Sequence, residues 1–157
     1  MPIKNYTTKI AASKTVSEIQ YLLVTVGAKR IAVDYNDEGE PISISFSLMA
    51  SDNPMYFSLS ANWQEVLRYL QKEGKVAKNL QTPEHAVRVA WRTLQDFIEA
   101  QVAFIQAGMA TAEEVFIGNV CLKDGRPLVE HITGSSSGIA LLSNKNKLYS
   151  AYKIPNC

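Results

Sequence analysis

His85, Arg88 and Arg92 stand at i, i+3 and i+7, so a helix places an imidazole and two guanidinium groups on one stripe. Thr82-Pro83 lies just ahead of them, and a helix N-terminus favours anions through its free N–H groups and its dipole. Two guanidinium groups beside such a terminus suit bidentate grip on a phosphate or carboxylate. The competing reading is a solvated face, with Arg92 paired to Asp96 one turn on. Lys4 and Lys9 join the stripe as ligand-binding candidates.

Other groupings carry weaker chemistry. Lys145, Lys147, Tyr149, Tyr152 and Lys153 mix cations with aromatics, as Lys4, Tyr6 and Lys9 do. That mixture holds single-stranded nucleic acid, but lysines guarding an edge strand produce it too. Asp34-Tyr35-Asn36-Asp37-Glu38-Gly39 imitates the first half of a calcium loop. Its twelfth position is Ser45 rather than Glu, and its flanks alternate like strands, so it reads as an acidic hairpin turn. Gly134 to Gly138 lacks the Lys-Ser/Thr pair of a phosphate loop and reads as a linker. The two histidines and two cysteines share no motif, so no metal site and no cofactor are expected. No serine sits in a G-x-S-x-G elbow. A catalytic grouping assembled only in the fold stays open, because triads need no proximity in sequence.

The elements that must position these residues begin with Thr82 to Gly108. Thr82 suits the N-cap, Pro83 the first helical position and Gly108 the left-handed stop. Val87, Ala90, Trp91, Leu94, Phe97, Ile98, Val102 and Ile105 give the apolar stripe, and His85, Arg88, Arg92, Gln95, Asp96, Glu99 and Gln106 the polar side. Thr15 to Glu18 reads as a capping box opening a first helix that stops at Gly27. Strands follow at Lys29–Tyr35, Pro41–Leu48 and Met55–Leu59, with serines alternating against Ile42, Ile44, Phe46 and Leu48. Tyr6 to Ala11 is a candidate edge strand, Asn62 caps a second helix ending at Gly74, and Thr111 opens a short turn of helix. Lys123 to Arg126 is a tight turn between two extended pieces. The fold class is α+β: a small antiparallel sheet with helices, one of them long (about 83–107), on one face. Residues 1–132 form a single domain, and 133–157 a C-terminal extension.

The chain has 157 residues, 46% hydrophobic and 20% charged, with a formal net charge of +1, which fits a soluble globule with no global field for nucleic acid or membranes. Two cysteines make no disulfide framework, the start lacks the apolar region of a signal peptide, and no apolar run is long enough to span a membrane, so a cytoplasmic location is expected.

The motifs KNYTTKI, KTVSEIQYLL, GAKRI, the D-Y-x-x-x-G-x-P-x-x-ISF hairpin and the AVRVAWRTLQDFIEAQVAFIQAGM helix followed by EEVF carry a resemblance. Over residues 3–132 the chain resembles an uncharacterised family of small phage and prophage proteins. It departs after Phe116, where the family continues with an aliphatic residue, Pro and Tyr and this chain has Ile117-Gly118-Asn119. The resemblance implies a phage origin and supplies no catalytic residues. With the cationic stripe and the lack of catalytic motifs, it predicts a non-enzymatic accessory protein. That protein would capture an anionic small ligand, such as a nucleotide signal of host defence, in the host cytoplasm. Two alternatives stand beside it: a protein-interaction module that inhibits a host protein, and an accessory protein for single-stranded nucleic acid. The long helix is also compatible with a homodimer.

Overall fold

The computed structural model describes residues 1–134. Helix α1 (Ala12–Thr25) leads into strands β1 (Ile31–Tyr35), β2 (Pro41–Ala50) and β3 (Asn53–Ser60). Helices α2 (Trp63–Lys72), α3 (Pro83–Gln106), α4 (Ala112–Phe116) and α5 (Leu128–Thr133) follow. The strands form one antiparallel sheet in the order β1-β2-β3. The α+β class is as expected. No helix among the described residues is long and apolar enough to cross a membrane.

Strand register explains why one face is covered. Ile31 opposes Phe46, Val33 opposes Ile44, and Phe57 and Leu59 oppose Phe46 and Ile44 from the other side. These residues turn to the helices. Ala32, Asp34, Ser43, Ser45, Ser58 and Ser60 hold the alternate positions, and their hydroxyls bond along the open face, Ser45 Oγ to Ser58 Oγ at 3.2 Å. Ser47 departs from the expected wet face: it is buried, flanked by Arg30 and Tyr56. On the covered side Phe46, Phe57 and Phe116 pack ring to ring, with centroids 5.3 to 6.1 Å apart.

Helix α3 is the spine, about 36 Å long at 1.5 Å per residue. Thr82 Oγ1 accepts from the His85 N–H, and Pro83 occupies the first turn. At the far end Gly108 adopts φ 71°, which lets its N–H bond the Ile105 carbonyl and that of Met109 the Phe104 carbonyl. Trp91 is fully buried, and its Nε1 donates to the Pro41 carbonyl at 2.8 Å, tying the helix to the start of β2. Helices α1 and α2 both pack on α3.

Four expectations are corrected. Helix α1 starts at Ala12, because Ala12 belongs to the same buried stripe as Val16, Ile19 and Leu23. Thr15 therefore sits fully buried inside the helix, and the expected capping box does not form. Residues Tyr6–Ala11 make no strand: the chain turns at Asn5 (φ 68°) and runs across α3. Asn62 precedes α2 as expected, but its Oδ1 accepts from Ser60 Oγ instead of capping. Finally, the piece after the Lys123–Arg126 turn is helix α5 rather than extended chain.

Replacing Trp91 with Phe removes the indole donor to the Pro41 carbonyl and leaves a gap beside it. Urea unfolding of W91F should show a lower midpoint at unchanged slope, a loss of about 1–3 kcal/mol from the hydrogen bond plus a cavity contribution.

Candidate functional site

The cationic stripe does not present free cations. His85 was expected on the polar side of α3 but is 2% exposed. Its Nε2 lies 2.6 Å from the Tyr6 carbonyl, so that nitrogen carries the proton and donates. Nδ1 then accepts from the Arg88 guanidinium at 3.3 Å. Arg88 also donates to Glu84 Oε1 at 2.7 Å. Its Nε is buried with no hydrogen-bond partner among the described residues. Arg92 pairs with Glu18 of α1 at 2.8 Å and with Gln95 Oε1 at 2.6 Å, rather than with Asp96.

Asp96 instead anchors the N-terminal segment. Lys4 Nζ lies 3.1 Å from one carboxylate oxygen and Asn5 Nδ2 donates to the other at 2.7 Å. The segment is thus a strap across α3, fastened by Lys4, Asn5 and the Tyr6 carbonyl. Lys9 is exposed and makes no ion pair among the described residues. The structure brings His85 and Arg88 together, holds Arg92 one turn away on α1's carboxylate, and places Lys4 on the strap. Lys147, Tyr149, Tyr152 and Lys153 lie outside the described residues, as does most of Gly134–Gly138.

A second region emerges where the β1–β2 turn meets α2 and α3. Gly39 (φ 78°) and the Asn36 side chain, whose Oδ1 accepts from the Glu40 N–H at 2.8 Å, close the turn tightly. This turn and the first residues of α2 and α3 enclose a groove of about 330 Å³. Trp63, Pro83 and Val87 make its floor, and Glu38, Glu40 and Glu84 its rim. A second hollow of about 460 Å³ shares Asn36, Glu38 and Trp63 with it and continues past Ser43 and Ser60. On its other flank a cleft of about 300 Å³ shares Glu40 and Glu84 and reaches Arg88 and the first turn of α1. The acidic turn was legible in sequence, but its meeting with Trp63 and α3 was not. Among the described residues no three His, Cys, Asp or Glu groups converge to hold a metal ion.

A third cluster was missed. Asp124 accepts from the Arg126 backbone N–H at 3.0 Å, from the Arg126 guanidinium at 2.9 Å and from His131 Nε2 at 2.8 Å. The backbone N–H first, then the guanidinium and His131, hold the Asp124 carboxyl well below the usual carboxylate range. Helix α5 brings His131 back onto the turn, and its six residues are too few to show a pattern. Burial pushes the nearby Cys121 thiol up, which disfavours the nucleophilic thiolate.

Two measurements check these assignments. A double-mutant cycle on Glu18 and Arg92 should give a coupling of about 1 kcal/mol, whereas Arg92 with Asp96 should give none. Because the folded state lowers the Asp124 pKa, its contribution to stability is present above about pH 4 and lost as pH falls through the lowered value. Its carboxyl carbon should still report an ionised group by NMR at about pH 3, and Arg126→Ala should restore only part of the shift because the backbone contact survives. No protein-family model, no curated protein and no solved structure matches the chain, so the reading of these sites rests on their geometry.

Proposed function

We propose that this chain is a non-enzymatic interaction module that docks a protein partner, and its motif resemblance to phage and prophage proteins supports a partner in the bacterial host. The observation that carries this reading is the uncovered side of α3. Ala86 lies under Leu70 of α2 and Val76. Three and five turns further on, Phe97 and Phe104 occupy the same side of the helix beyond the reach of α2. They are 41% and 46% exposed, and Met109 just past the helix end is exposed too. Aromatic side chains on a rigid helix are the usual anchors of protein interfaces.

A specific feature also favours capture of an anionic small ligand, such as a nucleotide. The cleft shared by Arg88 and the first turn of α1 contains helix N–H groups with no side-chain cap, beside the unpartnered Arg88 Nε. Against it stand Glu40 and Glu84 in the same walls and the ion pairs of Arg88, Arg92 and Lys4. Interaction with a protein is therefore the stronger reading. The nucleic-acid alternative rests on residues outside those described.

Pull-down from a bacterial host lysate should recover a discrete partner with the wild-type chain and lose it with Phe97→Ser combined with Phe104→Ser. Calorimetry with a panel of cyclic and linear nucleotides should give no heat. Recovery of no partner, together with saturable nucleotide heat abolished by Arg88→Ala, reverses the order of the two readings.

A further inference from the structure

We infer that the groove between the β1–β2 turn and the start of α3 receives an arginine- or lysine-bearing segment of the protein partner. The inference rests on the interaction-module reading and goes beyond it by naming a second surface and the chemistry that fills it.

The groove is apolar below and anionic above. Trp63, Pro83 and Val87 form the floor of a space of about 330 Å³, at the small end of the range of about 300–1,000 Å³ for ligand pockets. Glu38 and Glu40 make no ion pair among the described residues, and Glu84 meets Arg88 through Oε1 alone. No Lys or Arg lines this groove or the hollow that extends it. Asp37, exposed at the tip of the same turn, adds to the negative field.

That charge decides the class of occupant. Phosphate, nucleic acid and acidic peptides are repelled from it. A bare metal ion is not held, because the carboxylates do not converge on one point. The complement is a cation that brings its own apolar stem. An arginine or lysine side chain lays its methylenes along Trp63 and Pro83 and lifts its head to the rim carboxylates. The indole face of Trp63 adds a cation–π contact. The neighbouring hollow of about 460 Å³ carries the same trough on toward Ser43 and Ser60, which suits an extended segment over a single amino acid.

The test titrates the whole chain with a hexa-arginine peptide, and with hexa-serine as the uncharged control, by calorimetry and tryptophan fluorescence. Trp91 is fully buried, so a fluorescence change reports Trp63. Saturable binding of hexa-arginine is expected, with a shift in Trp63 emission and no response to hexa-serine. Glu38→Gln with Glu40→Gln should weaken it about tenfold or more, while Asp52→Asn, at the opposite end of β2, should change it less than about twofold. No binding, an unmoved Trp63 signal, or equal weakening by D52N overturns the groove assignment. A lysate partner recovered equally by wild type and by E38Q/E40Q also overturns it, yet leaves the interaction-module reading standing. Recovery of no partner by the wild type removes that reading itself.

Discussion

The indole N–H of Trp91 meets the Pro41 carbonyl at 2.8 Å in a place both residues bury. Neither group has water to fall back on, so each is costly to leave unmade. That one contact fixes where along α3 the sheet begins. It sets the first turns of the helix beside the β1–β2 turn, and so brings Glu84 next to Glu40. It also lines the helix up so that Ile98 and Val102, two and three turns on, join the same core as Phe46, Phe57 and Phe116. The groove and the uncovered aromatic side are both consequences of this alignment.

Much of this order was legible in the residues. Thr82-Pro83 and Gly108 marked the ends of α3, because capping is local chemistry that a short window of sequence contains. Alternation of serine with Ile44, Phe46 and Leu48 gave β2 its two faces for the same reason. The polar side of α3 was misread. A helical wheel assumes one buried face, but α3 packs on several sides, against α1, α2, the N-terminal strap and, through Trp91, the start of β2. His85 and Gln95 face the strap and α1, so they are buried although polar, and Phe97 lies beyond the cover of α2, so it is exposed although apolar.

The strap itself could not be read from residues 1–11. Tyr6–Ala11 has the composition of an edge strand, but Tyr6 meets His85, and Lys4 and Asn5 just ahead of it meet Asp96, some eighty to ninety residues away. The same holds for Arg92. Sequence offered Asp96 at i+4, but Asp96 is taken by Lys4 and Asn5, and Glu18 reaches Arg92 from α1. Once a tertiary carboxylate is in place, the intrahelical pair contributes too little to compete.

This redistribution of charge bears directly on function. An anion approaching Arg92 must displace a carboxylate held at 2.8 Å, and one approaching Arg88 must displace Glu84 at 2.7 Å. Its net affinity is the difference between two charge-assisted contacts, less the repulsion of the displaced carboxylate. A cation approaching Glu38 or Glu40 breaks no ion pair found among the described residues. The long helix thus turns its arginines inward as fasteners. On the proposed reading, the open surfaces among the described residues, the acid-rimmed groove at its start and the Phe97–Phe104 side at its end, are where a partner would gain contacts without breaking any that hold the fold.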